Sequence, residues 1–167
     1  MLSPFMIQRL LVALEGTPDV LNGLLGSLDA HDPAWDFQPD PERFTLREII
    51  AHLADYEPVW LDRFEHTRKA DGIRIERLDP SKLAVDNDYP HSDTIANLSL
   101  FRQRRAIIVD LIKTFKEEDW DKVAIRPQPA GPLSLGLQSM SLSVHDASHT
   151  GQVAQWLALW ARTSGGQ

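Results

Sequence analysis

Apolar residues recur at helical spacing along four long stretches of the chain, and proline-rich polar segments separate them. The stretches are residues 4–28, 45–69, 92–117 and 134–163. In each, apolar positions lie three and four residues apart, as expected of a helix with one face in a core. Four helices joined by loops predict an all-α fold, an up-down four-helix bundle formed as one domain by residues 1–167.

Short motifs predict where the first two helices begin or bend. Thr17 followed by Pro18 is typical of a helix start, so we expect the first stretch to break or kink there. Thr45 and Glu48 have the spacing of a capping box at the start of the second helix. Pro58 lies inside that helix and predicts a kink about one turn beyond His52.

The later boundaries are less sharply marked. We expect the third helix to begin at Ser92 or Asp93 and to run to about Glu117, and the fourth to begin near residues 134–137 and to end before Ser164. The expected buried face of the third helix consists of Ile95, Leu98, Phe101, Ile108, Leu111, Ile112 and Phe115. The segments 29–44, 71–91 and 118–133 hold most of the prolines and are expected to be loops. Only residues 123–125 favour a strand, and Trp35 and Phe37 are expected to cover one end of the core.

Composition narrows the class of protein. Lysine and arginine number 17 against 24 aspartates and glutamates, a formal net charge of −7, which argues against binding to a nucleic-acid backbone. The chain has no cysteine, which excludes disulfides, thiolate metal sites and a cysteine nucleophile. No stretch approaches the roughly 18 apolar residues of a membrane span, and no signal-like segment opens the chain. We therefore expect a cytoplasmic protein without membrane contact.

Histidines interrupt two of the predicted buried stripes. His145 and His149 are four residues apart, so both project from one face of the last helix and can reach a single metal ion. Their stripe runs through Gln138, Leu142, His145, His149, Gln152, Trp156 and Trp160. His52 lies on the inner stripe of the second helix with Ile49, Tyr56, Val59, Trp60 and Arg63. His31, His66 and His91 fall in loops or on the outer arc of a helix and are expected to be solvated.

Three inward imidazoles leave two interpretations open. They can be ordinary core residues in hydrogen bonds, or they can hold a divalent metal with an open position for water or a ligand. Zinc and nickel are the metals we expect, and imidazole also suits Fe²⁺ and Mn²⁺. The pattern His145-Asp146-x-x-His149 does not fit a zinc protease, because no acidic residue or histidine follows to complete the ligand set. An HD-type phosphohydrolase fails for the same reason.

Three segments, in order, resemble the DinB-like (YfiT/DinB) superfamily of metal-binding four-helix bundle proteins. Residues 17–21 (TPDVL) are similar to its first-helix motif, and residues 44–57 (FTLREIIAHLADYE) to its second-helix motif with the first histidine. Residues 145–153 (HDASHTGQV) resemble its last-helix motif. The resemblance implies a divalent-metal site at His52, His145 and His149. It also implies a metal-dependent hydrolase or a thiol-using S-transferase or isomerase, and a homodimer.

Three functional hypotheses follow. The first is a metal-dependent S-transferase in which a low-molecular-weight thiol cosubstrate attacks a small electrophile. The second is a metal-dependent hydrolase that activates water. The third is a non-catalytic stress or ligand-binding bundle whose metal only joins the helices.

Several residues are candidates for supporting roles at the metal. Asp55 and Glu57 are candidate bases, and Asp55 or Gln152 could instead orient a ligand imidazole. Tyr56 could donate to a developing anion, although core packing is the simpler interpretation. We expect Arg63 to be structural through a carboxylate partner; without one it could hold an anionic substrate. Trp156 and Trp160 are expected in the core or at a dimer interface.

Overall fold

Four long helices form the body of the structure, a computed structural model that describes residues 2–76, 78–127 and 131–164. The helices are α1 (Pro4–Leu25), α2 (Leu46–Lys69), a short α3 (Pro80–Asp86), α4 (Thr94–Lys113) and α5 (Leu135–Ser164). Three short strands form one sheet: β1 (Ile73–Arg74), β2 (Val123–Ile125) and β3 (Pro132–Ser134). Single 3-10 turns cover Pro33–Asp36, Tyr89–His91 and Glu117–Asp119. The predicted all-α four-helix bundle is confirmed.

The long helices pack in a ring that does not follow chain order. Helix α2 packs against α4 and α5, and α1 packs against the same two helices. Consecutive long helices α1 and α2 therefore occupy opposite corners of the bundle, as do α4 and α5. In the sheet, β1 runs parallel to β2 and β3 runs antiparallel to it. Strand β3 leads directly into α5.

Side-chain caps explain where the helices begin. The Thr45 hydroxyl accepts the backbone N–H of Glu48, and the Glu48 carboxylate accepts the backbone N–H of Thr45, which confirms the predicted capping box. The Asp93 carboxylate accepts the backbone N–H of Ala96 at the start of α4. Helix α2 ends at Lys69, as expected from the glycine three residues later.

The break predicted at Thr17 and Pro18 is wrong, since α1 is one continuous helix with Pro18 inside it. A proline has no N–H to donate to the carbonyl four residues earlier, here that of Leu14. The guanidinium of Arg105 on α4 donates to the Leu14 carbonyl instead, at 3.4 Å. The Thr17 hydroxyl, which was expected to cap a new helix, donates to the Ala13 carbonyl of the preceding turn. A tertiary contact thus replaces the missing helical hydrogen bond.

Pro58 is accommodated in α2 by the same means. Helix α2 is continuous through Pro58, which frees the carbonyl of Ala54. Arg104, the neighbour of Arg105 on α4, donates to that carbonyl at 2.8 Å. Two consecutive arginines of one helix therefore satisfy the carbonyls that prolines free in two other helices.

Three expectations, about a loop, a helix end and a buried residue, need correction. The segment 71–91 is not a plain loop, because Asp79 caps the short helix α3 and strand β1 precedes it. Helix α4 ends at Lys113 rather than near Glu117. A separate 3-10 turn begins at Glu117. Ile95, expected to be buried, is 47% exposed because it lies in the first turn of α4, at the end of the bundle. The strand expected at residues 123–125 is present.

The core consists of two large apolar clusters with the three inward histidines between them. One cluster contains Leu21, Trp35 and Phe101, with Phe37 against Trp160 at its edge, as predicted for this end of the core. The other contains Trp60 and Leu142. On α2 and on α5 alike, the chain passes from one cluster to the other where the histidines lie.

A buried group of three charges joins the helices behind those histidines. Arg105 of α4 is 1% exposed and donates to both oxygens of Glu57 of α2, at 2.6 and 2.9 Å. The same guanidinium also pairs with Asp146 of α5. The Asp146 carboxylate accepts a further hydrogen bond from the Thr17 hydroxyl of α1. Burial alone would lower the pKa of Arg105, but its bonds to the two carboxylates outweigh that effect and raise it. All four long helices contribute to this polar network.

We expect Arg105→Met to destabilise the fold by about 3–5 kcal/mol, because it leaves two buried carboxylates and the Leu14 carbonyl without their donor. Urea denaturation measures the change. Arg102→Met is the matched control, since Arg102 pairs with Asp19 at the surface, where the two side chains are 51% and 75% exposed. That control should shift the free energy of unfolding by less than about 1 kcal/mol. Equal effects of the two substitutions would contradict the role given to Arg105.

Candidate metal centre

Three histidines from two helices converge between the apolar clusters. His52 of α2 and His145 and His149 of α5 each present one ring nitrogen, and these three atoms lie within 4.8 Å of one another. The Nε2 atoms of His52 and His145 are 3.0 Å apart. The helical repeat brings His145 and His149 onto one face of α5, and the packing of α2 on α5 brings His52 opposite them.

The hydrogen bonding of these rings fits a metal site better than an ordinary polar core. The Nδ1 atoms of His52, His145 and His149 are buried and have no hydrogen-bond partner in the described part of the chain. Ordinary core histidines are nearly always hydrogen-bonded to the rest of the protein, so hydrogen bonding does not account for the burial of these three Nδ1 atoms. Three imidazoles that offer lone pairs to one point are the donor set of an open, three-protein-ligand zinc site.

Aromatic rings enclose the imidazoles. Tyr56 stacks on His145 with the ring planes 20° apart, and its centroid lies 4.8 Å from that of His52. Phe44 and Tyr89 lie against the other side of His52, at centroid distances of 5.5 and 6.5 Å. The Tyr89 hydroxyl is buried and unpaired among the described residues. Aromatic rings therefore pack against the imidazoles, and burial together with the nearby Asp55 raises the pKa of the Tyr89 hydroxyl.

Burial keeps the imidazoles neutral. Burial, and then the neighbouring rings of His149 and His145, lower the pKa of His52 to about 3. Burial and His145 lower the pKa of His149 to about 4. Neutral imidazole is the form that binds a metal, so at neutral pH these two rings do not have to lose a proton first.

Comparison with known families identifies the fold. The model of the DinB superfamily matches residues 13–153, which is most of the chain and includes all three histidines. The chain belongs to the DinB superfamily. The family resemblance of the three sequence segments is thereby confirmed.

A solved structure shares the fold of this superfamily member. YfiT from Bacillus subtilis, described as a probable metal-dependent hydrolase with an unusual four-helix bundle topology, superposes with a TM-score of 0.79 at 18% sequence identity. The match covers 95% of this chain and 91% of YfiT. No curated protein matches the chain. At this identity the likeness shows the fold alone.

The carboxylates expected near the histidines are held elsewhere. Asp55 accepts hydrogen bonds from Asn87 and Arg104, and Glu57 is bound on both oxygens by Arg105. The nearest approach of an acid to the cluster is Asp146, with one oxygen 4.0 Å from the Nδ1 of His145, too long for a hydrogen bond. Neither candidate base faces the histidines.

The other candidates have clear contacts. The side-chain amide of Gln152 donates to the Phe44 carbonyl, as does the Trp156 indole, so both fasten α5 to the loop before α2. His31, His66 and His91 are exposed, as predicted. Among the described residues no helix is long and apolar enough to cross a membrane.

Arg63 departs from expectation. Arg63 is buried, but no carboxylate of the described residues lies within ion-pair distance, so the expected structural pair is absent. Its guanidinium instead lies near the rings of Tyr56 and Trp60.

Sequence reasoning missed Tyr89 and the charge group around Arg105. Arg105 falls at helical spacing between Phe101 and Ile108 on the buried stripe of α4. That spacing was the signal in the sequence that Arg105 is buried. Tyr89 carried only the signal of a Tyr-Pro turn, and its approach to His52 depends on tertiary packing.

Protein purified without a metal-affinity tag should contain, or take up from added Zn²⁺ or Ni²⁺, about one equivalent of metal. His149→Ala should lose it, because two imidazoles are too few for tight binding. His91→Ala, which changes an exposed histidine, is the matched control and should bind as the wild type does. Elemental analysis measures the content. Failure of the wild type to retain either ion would show that the histidines are ordinary core residues.

The stability of the metal-free protein should fall in mild acid. In the unfolded chain the histidines bind protons near pH 6.5, whereas in the native state His52 does so at about 3 and His149 at about 4. The free energy of unfolding should therefore be highest above about pH 6.5 and should decrease as the pH falls toward these lower values.

Urea denaturation at several pH values, with EDTA present, tests this dependence. His52→Gln should show a shallower decrease than the wild type, and His66→Gln, at an exposed position, should not. A His52→Gln variant with the full wild-type pH dependence would contradict the assignment.

Proposed function

We propose that the chain is a divalent-metal-dependent enzyme, and more specifically a thiol-dependent S-transferase that acts on a small electrophile. The observation that carries the proposal is the composition of the site: three converging imidazoles packed against aromatic rings, with the nearby carboxylates held by other partners. His52, His145 and His149 are the proposed metal ligands. Zinc or nickel is the proposed metal, because both accept three imidazole ligands.

The missing base favours a thiol over water as the nucleophile. A bound divalent ion supplies Lewis acidity, which deprotonates a coordinating thiol outright, whereas a water molecule must be brought down from a pKa of about 15.7. In metal-dependent hydrolases a carboxylate commonly accepts the proton of the attacking water molecule. Here Asp55, Glu57 and Asp146 are all engaged in other pairs.

The chain's own composition says where the thiol would come from. It contains no cysteine, so the sulfur nucleophile must belong to a low-molecular-weight cosubstrate. In the reaction, a carbon–sulfur bond forms at the electrophile and its leaving group departs with the electron pair of the broken bond. Tyr89, whose hydroxyl is buried and whose ring centre lies 6.5 Å from that of His52, is the proposed donor to that leaving group. Tyr56 holds the His145 ring in place by stacking.

The proposal includes the setting of the reaction. A cytoplasmic location agrees with the need for reduced thiols. The expected partners are small molecules, and a homodimer remains an expectation from the family resemblance.

A metal-dependent hydrolase is the second candidate, and one observation favours it: YfiT, which shares the fold, is described as a probable metal-dependent hydrolase. In that case the same three histidines would serve, and the substrate would react with water. The third alternative is a non-catalytic site whose metal only joins α2 to α5.

Metal-loaded protein with a panel of small thiols and monochlorobimane should form the thioether and release chloride faster than the uncatalysed mixture. His149→Ala, which lacks a ligand, should not accelerate the reaction. Mass spectrometry measures the product. Product that carries oxygen from labelled water, formed without any thiol, would favour the hydrolase instead. Metal that raises stability while no reaction of either kind is found would favour the non-catalytic bundle.

A further inference from the structure

Arg63 is a buried cation that forms no ion pair with the described residues, although Asp62 acts on its charge from a greater distance. Its residue is 5% exposed, and its guanidinium carbon lies 5.3 Å from the ring centre of Trp60 and 5.9 Å from that of Tyr56. The adjacent acid, Asp62, is paired with His66 at 3.0 Å. In the described part of the chain no carboxylate comes within ion-pair distance of Arg63.

Such an arrangement is costly unless something binds there. Removing a guanidinium from water is costly, and the aromatic rings beside it recover only part of that cost. Burial lowers the pKa of Arg63, yet an arginine side chain stays charged in proteins. The contrast with Arg105 is direct, since that buried arginine has two carboxylate partners.

Arg63 lines a surface cleft large enough for a small molecule. The cleft has a volume of about 500 Å³ and lies where α2 faces the segment around β1. Its apolar walls are formed by Pro58, Val59, Ile73, Ile75 and Leu78. Arg74 also lines it, as do Asp62, His66 and Glu76. Arg126 lies close enough to act on the charge of Arg63.

The guanidinium is within reach of the histidines. The Tyr56 ring lies between the two, 5.9 Å from the Arg63 guanidinium carbon and 4.8 Å from the His52 ring centre. The guanidinium therefore lies no farther from the His52 ring than these two distances added together. Tyr56 therefore contacts both Arg63 and His52, although neither Tyr56 nor the three histidines line the cleft itself.

We propose that Arg63 forms an anion-binding site, which takes a carboxylate or phosphate group of a small molecule whose apolar part lies in the cleft. Oxyanions of both kinds match the planar fork of a guanidinium, which can donate two parallel hydrogen bonds. That the same molecule is the substrate or thiol of the three-histidine site rests on the function proposed above. The binding of the anion does not.

The test uses inorganic phosphate and succinate as probes on the full chain. The guanidinium Nε–H of each arginine and the backbone N–H groups of the cleft residues, which report binding in every variant, are followed by ¹⁵N NMR. The ionic strength is constant, with sodium chloride as the reference salt. The Arg63 signal should shift saturably with at least one probe. If phosphate alone acts, the site takes phosphate groups; if succinate alone acts, it takes carboxylates.

Arg63→Gln should weaken the affinity by about tenfold or more, the usual value of a charged hydrogen-bonded pair. Arg9→Gln is the matched control, because Arg9 also lies over an aromatic ring, that of Phe5, but is exposed and remote from the cleft. Thermal melting confirms that each variant is folded. If Arg63→Gln does not fold, Arg63→Lys keeps the charge, loses the fork geometry, and should still bind measurably more weakly.

Repeating the titration on His149→Ala separates this proposal from the previous one. Anion binding should persist in this variant even though its metal is lost. A failed enzyme assay together with intact anion binding would leave the Arg63 site standing. The site is overturned if neither probe shifts the Arg63 signal saturably, or if Arg63→Gln binds both probes as tightly as the wild type.

Discussion

The placement of Arg105 is the constraint on which the rest of the structure depends. One guanidinium, removed from water, faces Glu57 of α2 and Asp146 of α5 and also reaches a backbone carbonyl of α1. The attraction stabilises the fold only if these groups meet in one geometry, because any loosening leaves a charge in an apolar interior. Asp146 lies within the helical turn between His145 and His149. The positions of the imidazoles are therefore fixed by a polar network behind them as much as by the apolar clusters on either side.

Charge balance links that network to the site in front of it. The carboxylates of Glu57 and Asp146 share a single cation, Arg105. The buried group therefore has one more negative group than positive groups. Burial raises the pKa of Glu57, while the pKa of Asp146, which burial alone would raise, is held low by His145 and Arg105. Asp146 is the acid beside the histidines, with one oxygen 4.0 Å from the Nδ1 of His145. A dication held by three neutral ligands would find the compensating negative charge nearby without a carboxylate among its ligands.

Local signals predicted most of the fold and the three histidines, while the exceptions all involve distant partners. Helical spacing, the Thr45–Glu48 box and the placement of His52, His145 and His149 depend on residues close in sequence or on one helix face. The break expected at Pro18 was wrong because the donor that makes a continuous helix tolerable comes from α4, far along the chain. Arg63 and Arg105 show the same limit. Both are arginines on buried stripes, and only the three-dimensional structure distinguishes the paired one from the unpaired one.

The two prolines have a consequence for how the protein folds. Each leaves a gap in its own helix that only α4 fills, through Arg104 at Ala54 and through Arg105 at Leu14. Helices α1 and α2 are therefore incomplete as independent units, and neither gains its full backbone bonding before α4 has docked. Such mutual dependence favours a cooperative, single-step transition over the gradual assembly of preformed helices. A fragment that ends before α4 would therefore lack the hydrogen-bond donors to both the Leu14 and the Ala54 carbonyls.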